Sequence, residues 1–318
     1  MSKPLISIIT VVYNGAATLE ATIRSVRDQT WKDVEYIIVD GGSTDETPAL
    51  IEKYKGTVAN WVSEKDKGVY DAMNKGIRMA KGDWLYFLGS DDLLHDPHVL
   101  TTMFDAPFDG NCDLLYGNVT SPSYKGPYDG AFTLEKLLSR NISHQAAFYR
   151  KELFQRLGDY DLRYRLHADW DLNLRCFMNG DVRTKYVDVL VAEFGAEGMS
   201  SSHDIPFLRE GLIPAKLQWL NRQGVRSLRR LTLYDEWWRF LRNAGFRNET
   251  ELEGIAGIRA EVGPKAGSRD DAEPNAGTEA VPKPIRGMIR WQRPVPPGML
   301  RNGFVSKGWM FISYLFNR

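Results

Sequence analysis

Cysteine is almost absent from this 318-residue chain, which carries only Cys112 and Cys176. Two thiols far apart in sequence make neither a disulfide framework nor a zinc ribbon, and they fit a reducing compartment. Long hydrophobic runs are missing too. The longest near either end, Trp309 to Phe316, is about half of the ~20 residues a membrane span needs. The chain opens on Lys3-Pro4 and runs straight into strand-like sequence, without the charged, apolar and small-residue regions of a secretory signal. Secretion and a spanning helix are therefore not expected. Glycine-rich phosphate signatures are equally scarce. There is no G-x-x-x-x-G-K-[ST] loop, and no G-x-G-x-x-G accompanies the first strands.

Net charge is also lacking, with 41 Lys and Arg against 41 Asp and Glu, but the balance is uneven. Residues 205–318 hold 19 basic against 11 acidic side chains, leaving residues 1–204 with 22 against 30. An acidic front half argues against nucleic acid as a partner, because phosphate backbones demand clustered cations. The basic, tryptophan-bearing tail suits either a solvated surface or contact with anionic lipid headgroups. What is present in quantity is apolar residue, 43% of the chain, enough for a core that stands without staples.

The first hundred residues alternate between two periods. Ile6 to Tyr13, Val34 to Val39, Val58 to Val62 and Trp84 to Leu88 read as buried strands. Between them, Leu19, Ile23 and Val26 fall at helical spacing, as do Ala72, Met73, Ile77 and Ala80 in a helix predicted over 71–80. Ser43 and Glu46 form a capping-box pair for another helix, with Pro48 in its first turn. Strands separated by helices imply a mostly parallel sheet with helices on both faces. Ligands of such sheets bind beyond the carboxyl ends of the strands. Those ends carry Tyr13-Asn14, Asp40, Glu64 and Asp91-Asp92, all chemically useful.

Further strands are predicted over 114–119, 145–149 and 187–194, with helices over 133–138 and 169–178. The folded domain is placed at residues 1–204, in two halves, 1–110 and 111–204. Residues 205–253 read as a basic amphipathic helical extension. Residues 254–303, dense in Gly, Pro, Ala and charge, read as a flexible, disordered linker, and 304–318 as an aromatic terminal segment.

Several motifs carry chemistry. Adjacent carboxylates at Asp91 and Asp92 repel unless a cation or hydrogen-bond donors offset them. A divalent cation bridging a diphosphate is one resolution, and an N-cap for a following helix is another. Asp40-Gly41-Gly42-Ser43 is a strand-to-helix turn that admits close backbone approach. Its Asp40 suits a pyrimidine edge or ribose hydroxyl, or simply caps the turn. Asp169-Trp170-Asp171 opens a helix, where acids are routine dipole partners, yet a carboxylate there can also serve as general base. His144 begins a strand as a structural residue or an acceptor contact. Lys67, Arg163 and Arg165 are candidates for phosphate.

Together, Ile6 to Asn14, Val39 to Asp45 and Phe87 to Asp92 resemble the family-2 inverting glycosyltransferases of GT-A fold. Ser63 to Gly76 resembles the bacterial subgroup that builds exopolysaccharide, lipopolysaccharide and envelope glycolipids. Ala168 to Phe177 is similar to the corresponding stretch of mycobacterial phenolic-glycolipid sugar transferases. The resemblance covers roughly residues 4–200 and implies an α/β GT-A fold with a Rossmann-like central sheet. It also implies that Tyr13, Asn14, Asp40 and Gly42 hold the base and ribose of a nucleotide-sugar. Asp66 and Lys67 would lie over the donor, Asp71 and Asn74 would face it, and Ser90 and Asp91 would meet the diphosphate. Asp91, with Asp92 beside it, would bind Mg²⁺ or Mn²⁺. Asp169 falls on the family's catalytic base, with Asp171 as the alternative. Trp170, His144, Arg163 and Arg165 are left to acceptor or phosphate. Two positions depart from the family pattern: Gly89 stands where the first acid of its D-x-D falls, and Ala168 where its Glu-Asp pair has Glu.

The expected activity is metal-dependent hexosyl transfer from a nucleoside-diphosphate sugar to a hydroxyl of a lipid-linked glycan or envelope glycolipid. Inversion is a single displacement needing one base, so the two-carboxylate arrangement of a glycosidase is the wrong template. The expected location is cytoplasmic, peripheral on the inner membrane face. A sugar-nucleotidyltransferase and a non-catalytic transferase-like scaffold are the alternatives.

Overall fold

The computed structural model describes residues 5–105, 111–121, 126–127, 130–194, 204–223, 241–242 and 245–246. Four strands form in the first half, three of them largely buried and the third in chain order an exposed edge. They are β1 (Ile6–Val12), β2 (Val34–Asp40), β3 (Asn60–Ser63) and β4 (Trp84–Phe87). All pair in parallel, with β2 and β4 flanking β1, and β3 outside β2. The second half adds β5 (Leu93–Leu94), β6 (Leu114–Thr120), β7 (Ala147–Arg150) and β8 (Thr184–Glu193). The sheet runs β3-β2-β1-β4-β7-β6-β8-β5. β7 is antiparallel to both β4 and β6, so its start reaches the edge where β4 ends.

The helices are α1 (Leu19–Arg27), α2 (Thr47–Lys53), α3 (Val69–Met79), α4 (Val99–Asp105), α5 (Leu134–Leu137), α6 (Lys151–Leu157), α7 (Ala168–Met178) and α8 (Ile213–Arg222). The apolar positions anticipated for α1 and α3 are the buried ones: Leu19, Ile23 and Val26, then Ala72, Met73 and Ile77. α3 approaches the sheet at Gly76, where a Cβ would stand 2.4 Å from Ile9 Cγ2.

Three local expectations are corrected. Ser43 does not cap α2, because its hydroxyl turns back to Asp40, and Asp45 Oδ1 takes the Thr47 N–H instead at 3.0 Å. Asp91-Asp92 leads into no helix. Leu93–Leu94 pairs with the end of β8 as a short strand. His144 precedes its strand on a 3₁₀ turn, His144–Ala146, and the strand starts at Ala147.

The packed unit also continues past residue 204. A π-helical turn, Phe207–Leu212, runs into α8, and Phe207, Leu212 and Ala215 join the same core as the sheet. The expected boundary therefore falls inside the packed structure. The linker expected at 254–303, the aromatic segment at 304–318 and most of the extension beyond residue 223 lie outside the described residues. Among the described residues no helix is long and apolar enough to cross a membrane.

Candidate active site

The carboxyl ends of β1, β2 and β4 form the first wall. Asp40 is fully buried at the end of β2. Its carboxylate accepts the Ser43 N–H at 3.1 Å, the Ser43 hydroxyl and the Ser63 hydroxyl at 2.5 Å. Asn14 adopts φ 51°, a left-handed conformation that asparagine tolerates. Its N–H donates to Ser43 Oγ at 2.7 Å, and its Oδ1 accepts the Thr44 N–H at 2.9 Å. Asp40 and Asn14 thus shape the 41–44 turn, Gly42 (φ 84°) included, and leave Tyr13 beside it 65% exposed.

Asp66 lies over this turn. A Cβ on Gly41 would stand 2.5 Å from Asp66 Oδ2 and 3.5 Å from the Tyr13 ring. Asp66 Oδ1 accepts the Gly68 N–H at 2.9 Å, and Asp71 Oδ2 accepts the Lys67 N–H at 3.0 Å. Lys67 is exposed. Asn74 is placed differently from expectation. It is buried, and its amide donates to the Tyr160 carbonyl at 2.9 Å while accepting the Tyr160 N–H at 3.0 Å. It ties α3 to the 158–167 loop, with both ends of its amide engaged there.

The 89–92 loop separates its two acids. Asp92 is buried, and its Oδ2 accepts the Gly89 N–H at 3.1 Å and the Gln145 Nε2–H at 2.8 Å. Asp91 is exposed. Ser90 is held by Thr22, whose hydroxyl donates to the Ser90 and Asp92 carbonyls. Repulsion is relieved by donors for one carboxylate and by solvent for the other. Asp92, expected as a metal ligand beside Asp91, braces the loop through Oδ2. Among the described residues, no three His, Cys, Asp or Glu side chains gather to hold a metal ion. Mg²⁺ needs only one or two carboxylates beside substrate phosphates, and the exposed Asp91 fits that role.

Asp169 stands in the first turn of α7, 7% exposed. Tyr70 of α3 donates its hydroxyl to Oδ1 at 2.8 Å, and Asn141 donates to Oδ2 at 2.8 Å. Asn141 is itself held by Asn173, which is held by the Tyr149 hydroxyl. Burial, and then the charge of Asp169, drive the Tyr70 hydroxyl pKa well above its ordinary value, so it serves as a donor. His144 Nδ1 lies 3.8 Å from Asp169 Oδ2. A carboxylate has about four acceptor sites, so two donors leave room for a substrate hydroxyl.

Asp171 pairs with Arg175 at 2.9 Å, which clamps the carbonyls of Leu157, Gly158 and Asp159. Burial raises the Asp171 pKa, and Arg175 opposes it. Asp171, expected as the alternative base, is engaged through Oδ2 in that clamp. Trp170 is buried and donates its indole N–H to the Leu137 carbonyl. Arg163 pairs with Asp161 and Glu210. Arg165 is exposed.

These contacts close a ring. Asp66 reaches from the Asp40 turn to Gly68 at the head of α3, Tyr70 reaches on to Asp169, and His144 lies against Asp169. Gln145 then returns to Asp92, and Ser90 Oγ lies within 3.3 Å of a Cβ built on Gly15. These contacts link the turn that carries Asp40, the loop that carries Asp91 and the head of α7 that carries Asp169. Tyr70, Asn141, Ser63 and Gln145 escaped the sequence reading. Tyr70 left one signal: it stands at helical spacing with Met73, Asn74 and Ile77, a hydroxyl on an otherwise inward stripe.

Residues 7–158 match the family described as Glycosyl transferase family 2. A PGL/p-HBAD biosynthesis glycosyltransferase of Mycobacterium tuberculosis is 42% identical over 235 residues, 71% of this chain and 89% of that protein. An uncharacterized glycosyltransferase of the same species is 34% identical over 212 residues, 64% and 79% of the two chains. Among solved structures, Staphylococcus aureus TarS 1-349 in complex with UDP-GlcNAc superposes with a TM-score of 0.58 at 18% identity. That match covers 79% of this chain and 81% of the other, a likeness of GT-A-type fold. On the mycobacterial match above all, the chain belongs to glycosyl transferase family 2.

Proposed function

We propose that this protein transfers a hexosyl group, with inversion, from a nucleoside-diphosphate sugar to a hydroxyl of a lipid-linked glycan or envelope glycolipid. The observation that carries the reading is the placement of Asp169. It is a single carboxylate oriented by Tyr70 from the nucleotide half and by Asn141 from the acceptor half. An inverting displacement needs one such base, to take the proton of the attacking hydroxyl. Tyr13, Asp66 and the 41–44 turn border the donor side, where a nucleoside can lie against the exposed ring. The names of the mycobacterial relatives, which refer to PGL/p-HBAD biosynthesis, support a glycolipid acceptor. Such chemistry belongs in the cytoplasm, against the membrane face that presents the acceptor.

Asp91 would hold Mg²⁺ or Mn²⁺ against the donor diphosphate, with Asp92 fixing the loop from behind. When bound, the cation supplies charge neutralisation for the leaving nucleoside diphosphate. The chain's own residues orient the acceptor hydroxyl and remove its proton.

The test is turnover of UDP-, GDP- and dTDP-sugars with Mg²⁺ or Mn²⁺, by wild type and Asp169→Asn. The substitution keeps the size of the side chain and its carbonyl acceptor but removes the base. Turnover should fall by about 10²–10⁴-fold while donor binding, followed by thermal shift, stays within a few-fold. Equal turnover by both proteins would reassign the base, and silence across all donors would remove the transferase reading.

A further inference from the structure

The approach to the proposed base is held from an unexpected quarter. The residue before α7, His167, makes no side-chain capping bond to the helix, so the entry to Asp169 must be fixed in another way. Leu166, three residues ahead of Asp169, is gripped at both of its backbone polar atoms. Its N–H donates to Asp204 Oδ2 at 2.8 Å, and its carbonyl accepts the Tyr70 hydroxyl at 3.0 Å. The same Tyr70 hydroxyl lies 2.8 Å from Asp169 Oδ1. One phenolic proton therefore serves two acceptors, and the position of Leu166 decides how it is shared.

Asp204 is 5% exposed and anchors the segment that follows it. Its Oδ1 accepts the Phe207 N–H at 3.3 Å, and its carbonyl accepts the Leu208 N–H at 2.9 Å. Phe207 is fully buried. Its ring stacks on His167 at 5.4 Å between centroids and lies 5.3 Å from Trp170. Residues on both sides of Asp169 are thus clamped by a segment that straddles the expected domain boundary, Asp204 being its last residue and Phe207 lying past it.

We propose that Asp204 and Phe207 are positioning residues for Asp169: Asp204 acts through the Leu166 backbone and Phe207 through the rings of His167 and Trp170. This rests on the reading of Asp169 as the base. Loosening Leu166 lets its carbonyl compete differently for the Tyr70 proton, and the Asp169 carboxylate loses its orientation. The donor side, built from the 41–44 turn, Asp66 and Asp91, is untouched.

The experiment uses the full chain with Asp204→Ala, Asp204→Asn and Phe207→Leu. Asp204→Ala leaves the half-buried Leu166 N–H without its acceptor, whereas Asp204→Asn keeps an oxygen for it. Asp204→Ala and Phe207→Leu should each lower kcat by about tenfold or more, with donor KM within about threefold. Asp204→Asn should restore most of the loss. Hydrogen exchange of the amides over 166–170 should quicken in the two damaging variants, also in an Asp169→Asn background where no turnover is read. If Asp204→Ala fails to fold, Phe207→Leu carries the same readouts. Unchanged kcat and exchange in the folded damaging variants, while Asp169→Asn abolishes turnover, overturns the positioning role and leaves the proposed function standing. If Asp169→Asn instead turns over normally, the base assignment fails and the proposal fails with it, whatever the exchange shows.

Discussion

At the scale of single residues, Gly89 explains how two adjacent acids share one loop. It is not among the glycines with positive φ, so the backbone makes no demand for glycine there. Space does. A Cβ at this position would stand 2.4 Å from Asp92 Oδ2 and 3.2 Å from Asp91 Oδ1. The carboxylate of Asp92 has folded into the room that a side chain at 89 would take, and the Gly89 N–H and the Gln145 amide receive it there. Gly89→Ala should therefore push Asp92 off both donors and shift Asp91 with it. The expected loss is about 1–3 kcal/mol of stability from overpacking, together with about tenfold or weaker donor binding, roughly 1.4 kcal/mol. Urea unfolding and titration with a nucleotide sugar in Mg²⁺ check the two parts separately. Wild-type values for both would mean the loop does not depend on this packing.

At the scale of elements, the close approach of α3 to the sheet sets two effects against each other. Alanine is a better helix former than glycine by about 0.8–1.0 kcal/mol, so Gly76→Ala on an open helix would stabilise. Here the new methyl would meet Ile9 Cγ2 at 2.4 Å, in a strand fixed by parallel partners on both sides. Overpacking of about 1–3 kcal/mol should win, giving net destabilisation in a urea titration that is smaller when Gly76→Ala is made in an Ile9→Ala background, which removes Cγ2. A stabilised Gly76→Ala would show that β1 yields. α3 also shows what the sequence made legible. Its inward stripe and the runs of β1, β2 and β4 could be read because burial on one or two faces writes a local pattern. Two-turn helices such as α4 and α6 leave too short a pattern, and Leu93–Leu94 is a strand only because β8 pairs with it. The site divides along the same line. Its acids at 40, 91 and 169 were visible at the ends of strands and the head of a helix. Their settings were not. Tyr70 lies 99 residues from Asp169, and Gln145 lies 53 from Asp92. No local pattern tells which of Asp91 and Asp92 turns inward, or that Ser43 prefers Asp40 to the helix it precedes.

At the scale of the whole molecule, the boundary drawn at residue 204 by composition can be set against the core that crosses it. Phe207, Leu212 and Leu217 are each at most 2% exposed. Burying a large apolar side chain is worth roughly 1.5–3 kcal/mol, so three of them approach the roughly 5–15 kcal/mol that holds a typical domain together. A chain ending at residue 204 forfeits all of that and bares the faces of His167 and Trp170 that Phe207 covers. It should express as insoluble protein. A chain ending at residue 253 keeps every described contact and discards the Gly-, Pro- and charge-rich residues 254–303, which offer little to bury, together with the aromatic segment 304–318. Its melting temperature should match that of the full chain within a few degrees. Vesicles containing anionic lipid then separate the two roles of the basic tail. If the aromatic segment at 304–318 docks on lipid, the 253-residue protein should leave the vesicle pellet for the supernatant while keeping its turnover of soluble donor. A soluble, active protein ending at residue 204 would show instead that the C-terminal helical segment is an ornament on the core, and the coupling of Phe207 to the base would go with it.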